Sequence, residues 1–79
     1  MDNEKIISVC EFYRKELKEL YSPDPELHHV EDMTYEIPKL LKEGRQEKAN
    51  RWLGFIQATL CAKGLYTIED LKDHNRSGL

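Results

Sequence analysis

The sequence predicts an all-α fold, a small helical bundle of three main helices plus a short C-terminal helix, built on a tight central αα-hairpin. Three observations carry this expectation. Apolar residues recur three and four positions apart along three long stretches, the spacing that keeps one face of an α-helix apolar. Ser22-Pro23-Asp24-Pro25-Glu26, Gly44 and Gly64 separate those stretches with helix-breaking and helix-starting residues. No internal repeat and no long linker divides the chain, so its 79 residues form one domain, 1–79.

Residues 3–21 read as the first helix, with Ile6, Val9, Cys10, Tyr13, Leu17 and Leu20 on one stripe and Asp2 or Asn3 as its cap. Ile7 and Phe12 fall off that stripe. The second helix, 25–43, starts where Asp24 caps, Pro25 suits the first helical position and Glu26 favours the positive helix end. Its stripe is Leu27, Val30, Met33 and Thr34, Ile37, Leu40 and Leu41, and Pro38 frees the Thr34 carbonyl, which predicts a bend there. Gly44 ends this helix and doubles as N-cap for the third, 45–63, with Glu47 at N3, leaving almost no loop between antiparallel neighbours.

The third helix is expected to be central and packed on two sides. Ala49, Trp52, Leu53, Ile56 and Leu60 form its stripe, while Phe55, Ala58, Thr59 and Ala62 widen the weakly polar arc beyond what one neighbour covers. Gly54 and Ala58 make a small-residue pair at which another backbone could approach. Thr67-Ile68-Glu69-Asp70 resembles a capping box and opens the last helix, 67–75, anchored by Ile68 and Leu71, with fraying expected beyond Arg76. The expected core is Ile6, Tyr13, Leu17, Leu27, Val30, Ile37, Leu41, Leu53, Ile56 and Leu60.

Composition excludes several classes. The net charge is −3, 34% of residues are charged, and no apolar run approaches the ~20 residues of a membrane span. The start, Met1-Asp2-Asn3-Glu4, lacks a basic n-region and an apolar h-region, so the reading is a soluble cytoplasmic protein. Cys10 and Cys61 have no CxxC spacing and are expected as reduced thiols. There is no Gly-rich phosphate loop, no H-E-x-x-H and no G-x-S-x-G, and no set of spaced carboxylates is complete; no catalytic residue and no cofactor is assigned, and the chain is read as a non-enzyme.

His28 and Asp32 are four apart on one helix face, but two ligand types do not make a metal site, and the roles of His28, His29 and His74 stay open. The segment 58–76 has the outline of a helix-turn-helix, yet Glu69, Asp70 and Asp73 oppose Lys72 and Arg76 where a DNA reader needs a basic surface, which argues against duplex DNA.

Charge is divided along the hairpin: residues 23–41 hold five acids and one base, residues 42–63 five bases and two acids. Folding at Gly44 gathers basic side chains at the turn. Two readings follow. Arg45, Lys48 and Arg51 could take a nucleotide phosphate, with Trp52 or Tyr66 stacking on its base. Alternatively, the surplus apolar surface, with Phe12, Gly54, Phe55 and Ala58 at its centre, meets a protein partner or a second copy of the chain, since a chain this short has few elements to cover it.

The stretches E-G-R-Q-E-K-A-N-R-W-L-G-F-I-Q and G-L-Y-T-I-E-D-L-K-D-H-N-R resemble a group of small uncharacterised accessory proteins of tailed phages. The resemblance spans roughly His29 to Arg76 and leaves out the first helix. It rests on Glu43, Gly44, Arg45, Glu47, Lys48, Ala49, Arg51, Trp52, Leu53, Gly54, Phe55 and Gln57, then Gly64, Tyr66, Thr67, Leu71, His74, Asn75 and Arg76. It implies a phage accessory product acting stoichiometrically, by occluding a host or defence protein or by sequestering a signalling nucleotide. Protein binding is the first expectation and an oligomeric nucleotide sponge the second.

Overall fold

The computed structural model describes residues 2–20 and 22–78 and contains four helices: α1 (Asn3–Leu20), α2 (Pro25–Lys42), α3 (Gln46–Ala62) and α4 (Ile68–Ser77). The all-α fold and the α2–α3 hairpin are as expected. Tyr21, the expected end of the first helix, lies outside the described residues.

The helix ends follow from local chemistry. Asp2 Oδ1 accepts from the Lys5 amide at 2.8 Å, and Asp24 Oδ1 from the Glu26 amide at 2.9 Å, with Pro25 opening α2. At α4 the capping box is complete: Thr67 Oγ1 accepts from the Asp70 amide at 3.1 Å, and Asp70 Oδ2 from the Thr67 amide at 2.9 Å. The Thr67 backbone amide on that carboxyl, and after it the Thr67 hydroxyl, hold Asp70 below its ordinary pKa.

The hairpin turn differs from expectation in one detail. Gly44 is not the N-cap of α3; at φ 77° it ends α2, with its own amide on the Leu41 carbonyl (3.1 Å) and the Arg45 amide on the Leu40 carbonyl (2.9 Å). That pair of bonds satisfies carbonyls the helix end would otherwise orphan. Arg45 then takes the N-cap position of α3 and makes no side-chain capping bond. Gly64 repeats the motif at the end of α3, its amide on Cys61 and the Leu65 amide on Leu60, both at 3.0 Å.

All ten expected core residues are buried, together with Val9, Cys10, Met33, Leu40 and Ala49. The expected central position of α3 is corrected: α2 is the helix flanked on both sides, by α1 and α3, while α4 folds back on α1. Pro38 explains part of how α1 and α2 lock. The helix runs on through it, and the Thr34 carbonyl it frees accepts from Arg14 Nη2 at 2.7 Å. The same guanidinium lies 4.0 Å from the centroid of the Tyr35 ring.

At the far end of the hairpin, Lys63 Nζ sits 2.8 Å from Asp24 and 3.2 Å from Glu26, joining the end of α3 to the start of α2. The Lys63 bond lowers the Asp24 pKa, and Asp24 in turn raises that of Lys63. Beyond Arg76, where fraying was expected, Ser77 is still in α4, and Leu79 lies outside the described residues. Gly78, left-handed at φ 69°, caps α4 through the His74 carbonyl at 3.0 Å and is buried against Lys5, whose Nζ bonds the Arg76 carbonyl at 3.3 Å.

Candidate protein-binding face

On the side of α2 turned away from α1, His29, Asp32, Met33 and Glu36 face Trp52 and Phe55 of α3 across a groove of about 370 Å³. A second hollow of about 270 Å³ continues it past Phe55 to Thr59, Pro25 and Glu26. The groove exists because the tight turn sets α2 and α3 in register and both helices carry apolar side chains on flanks their shared stripe does not use. Phe55 is 52% exposed and meets the His29 ring edge-on, with centroids 6.3 Å apart. Trp52, placed on the core stripe by its spacing, is only half-buried because it sits at the groove rim. The lining is mostly apolar, its charged members are Glu26, Asp32 and Glu36 along α2, and Lys48 of α3 stands over the Trp52 ring at the rim.

Of the expected interface residues, Gly54, Phe55 and Ala58 are exposed. Apart from its own stretch of helix, no atom of the described residues lies within 4 Å of where a Gly54 side chain would start, so none of their other backbone packs there. Phe12 is corrected: α4 returns over α1 and brings His74 and Tyr66 against it, with ring centroids 5.2 and 6.2 Å away, so this side chain is half-buried inside the chain. His29 and Met33 were missed. The hairpin register could have found them, because a tight turn at Gly44 puts Met33 level with Phe55.

The expected nucleotide residues are only partly gathered. Arg45, Lys48 and Arg51 line one shallow, open depression with Gly44, Gln46 and Glu47 at the start of α3. Lys48 Nζ lies 5.2 Å from the Trp52 ring centroid. Tyr66 is at the opposite end of α3, some ~25 Å along a helix of that length, with its ring against His74 at 4.8 Å.

A buried polar cluster ties α3 to α1 and α4. Gln57 Nε2 donates to the Tyr13 hydroxyl at 3.0 Å and to Asn75 Oδ1 at 2.7 Å, and Tyr13 Oη lies 2.8 Å from His74 Nδ1. With the imidazole hydrogen on Nε2, the Tyr13 hydroxyl donates to Nδ1 while its oxygen accepts from Gln57. Burial pushes the Tyr13 phenol up to about 12, and burial also pushes the Cys10 thiol up to about 12. No buried side-chain polar atom among the described residues lacks a partner. His74 is therefore a packing histidine, while His28 Nε2 meets the Ser22 carbonyl and His29 lines the groove.

Among the described residues, no three His, Cys, Asp or Glu side chains stand together as a metal site, and no helix is long and apolar enough to cross a membrane. Comparison with protein-family models, with curated proteins and with solved structures gives no match to this chain.

Proposed function

We propose that the chain is a non-catalytic accessory protein of the phage type that acts by binding another protein through the open α2–α3 face, as an inhibitor of a host or defence factor. One observation carries this reading: Phe55, a large aromatic on α3, stands half in solvent beside an apolar groove with acidic edges. Interface energy concentrates on such aromatic anchors ringed by polar groups. The buried side-chain polar atoms of the described residues, by contrast, all have a hydrogen-bond partner.

The test compares wild type with Phe55→Asp as bait in cells carrying the candidate host, with retained proteins quantified by mass spectrometry and then re-tested as purified pairs. A direct partner should bind wild type and be lost with Phe55→Asp while helicity stays at the wild-type level. Equal retention by both baits would count against the face.

A second reading, a small oligomer that sequesters an anionic nucleotide, is favoured by one feature: Arg45, Lys48 and Arg51 form no ion pair among the described residues, and they share one depression. Stacking would fall to Trp52 alone. Calorimetric titration of cyclic and linear nucleotides into wild type and an Arg45→Glu/Lys48→Glu variant tests it. Binding that drops at least ~10-fold in the variant supports the reading, since charge-assisted bonds to phosphate are each worth ~1.5–3 kcal/mol.

A further inference from the structure

We infer that the α2–α3 face is self-complementary and that its resting occupant is a second copy of this chain, related by a twofold axis parallel to the helices. The inference rests on reading that face as protein-binding. It starts from the register of the hairpin. The Lys63–Glu26 contact at 3.2 Å closes one end and the Gly44 turn the other, so residues whose numbers sum to about 88 or 89 lie level along α2 and α3. Trp52 is thus level with Glu36, and Phe55 with Met33, as their shared groove lining confirms.

A twofold axis parallel to the helices preserves these levels and lays α3 of one copy over α2 of the other. Phe55 then meets Met33 of the partner subunit and His29 of the partner subunit, and Arg51 faces Glu36 of the partner subunit. The charges fit this arrangement. Among the described residues Arg51 has no ion pair, and Glu36 pairs only with its exposed neighbour Lys39 at 3.3 Å. An axis perpendicular to the helices would instead lay α2 on α2, bringing each Asp32 towards its own copy and leaving Arg51 without an acid. Isologous contacts of this kind are the commonest way for a small chain to close its open face. The accessible surface, 5051 Å² for 9.3 kDa, is close to the ~5,000 Å² of a compact monomer, so the dimer joins two folded chains and dissociates on dilution.

The experiment measures mass by light scattering and sedimentation from low to high micromolar concentration for wild type, Phe55→Asp, Glu36→Arg, Arg51→Glu, and an equimolar mixture of the last two. The expected result is a concentration-dependent dimer for wild type, a monomer for Phe55→Asp, and association weakened at least ~10-fold for each charge variant alone, because like charges then face each other twice. Mixing the two charge variants restores both pairs and should return the dimer as a heterodimer. A wild-type monomer with intact helicity at high concentration overturns the inference, as does a dimer in which the mixed variants gain nothing over either alone. A monomer whose Phe55-dependent capture of a purified foreign protein persists overturns the second copy as occupant while leaving the protein-binding reading in place.

Discussion

Removing one oxygen should unsettle the joint between three helices. In Tyr13→Phe the ring keeps its packing against Phe12 and Tyr66, so the loss is confined to hydrogen bonds. The Tyr13 hydroxyl is fully buried, and its loss leaves His74 Nδ1 without its donor and one Gln57 hydrogen without an acceptor, while the second Gln57 hydrogen keeps Asn75. An unsatisfied buried polar group costs about 1–3 kcal/mol, and Gln57 is still partly held, so the expected loss is about 2 kcal/mol. In a domain of this size that corresponds to a Tm lower by roughly 8–16 °C. Urea and thermal unfolding followed by circular dichroism would measure it. His74→Phe made alone and combined with Tyr13→Phe completes a cycle, in which the double variant should lose less than the sum because the orphaned nitrogen is gone. A Tyr13→Phe loss under about 0.5 kcal/mol, or strictly additive variants, would refute the cluster as the joint between α1, α3 and α4.

Ile56→Ala, at a fully buried site on the α2–α3 seam, should cost about 2–5 kcal/mol, whereas Phe55→Ala next to it should leave stability within about 1 kcal/mol; equilibrium unfolding of the pair checks the contrast. Alkaline pH should unfold the chain. The Tyr13 and Cys10 pKa values are raised in the fold, to about 12 from 10.0 and 9.0, so the stability they hold is complete below pH 9 and drains as pH rises towards 12, readable as a falling urea midpoint. At the acid end the sign reverses: Asp24 and Asp70 have lowered values, so their contribution is present above the ordinary 3.8 and is lost as pH falls through the folded values, and Asp70→Asn should flatten that limb. Iodoacetamide at mild alkaline pH should label half-buried Cys61 and spare Cys10, which mass mapping of the adducts would show.

Much of the fold was legible because its signals are local. The stripe Leu27, Val30, Ile37 and Leu41 needs only helical periodicity, and the caps at Asp24 and Thr67 need only their own neighbours. Apart from the Gly44 cap, which is a local matter, the points that sequence missed depend on distant partners. Gln57 reads as polar, and nothing nearby in sequence announces that Tyr13 and Asn75 will satisfy it. Phe12 lies off its stripe, but periodicity cannot tell that α4 returns to cover it. α3 looked central because its apolar arc is wide, whereas the surplus arc is the groove wall. Arg45, Lys48 and Arg51 were correctly grouped at the turn by the hairpin, while Tyr66 was joined to them by chemistry alone and sits at the other end of α3.

The central claim, that the α2–α3 face exists to bind protein, is tested most directly by a benzophenone photocrosslinking side chain placed at Phe55, with the same group at exposed Lys15 of α1 as control. Irradiation of expressing cells should convert the Phe55-labelled chain into discrete protein adducts, to a second copy or to a host protein, and leave the Lys15-labelled chain unjoined. A Phe55-labelled chain that folds normally and crosslinks to nothing, or no better than the Lys15 control, would contradict it.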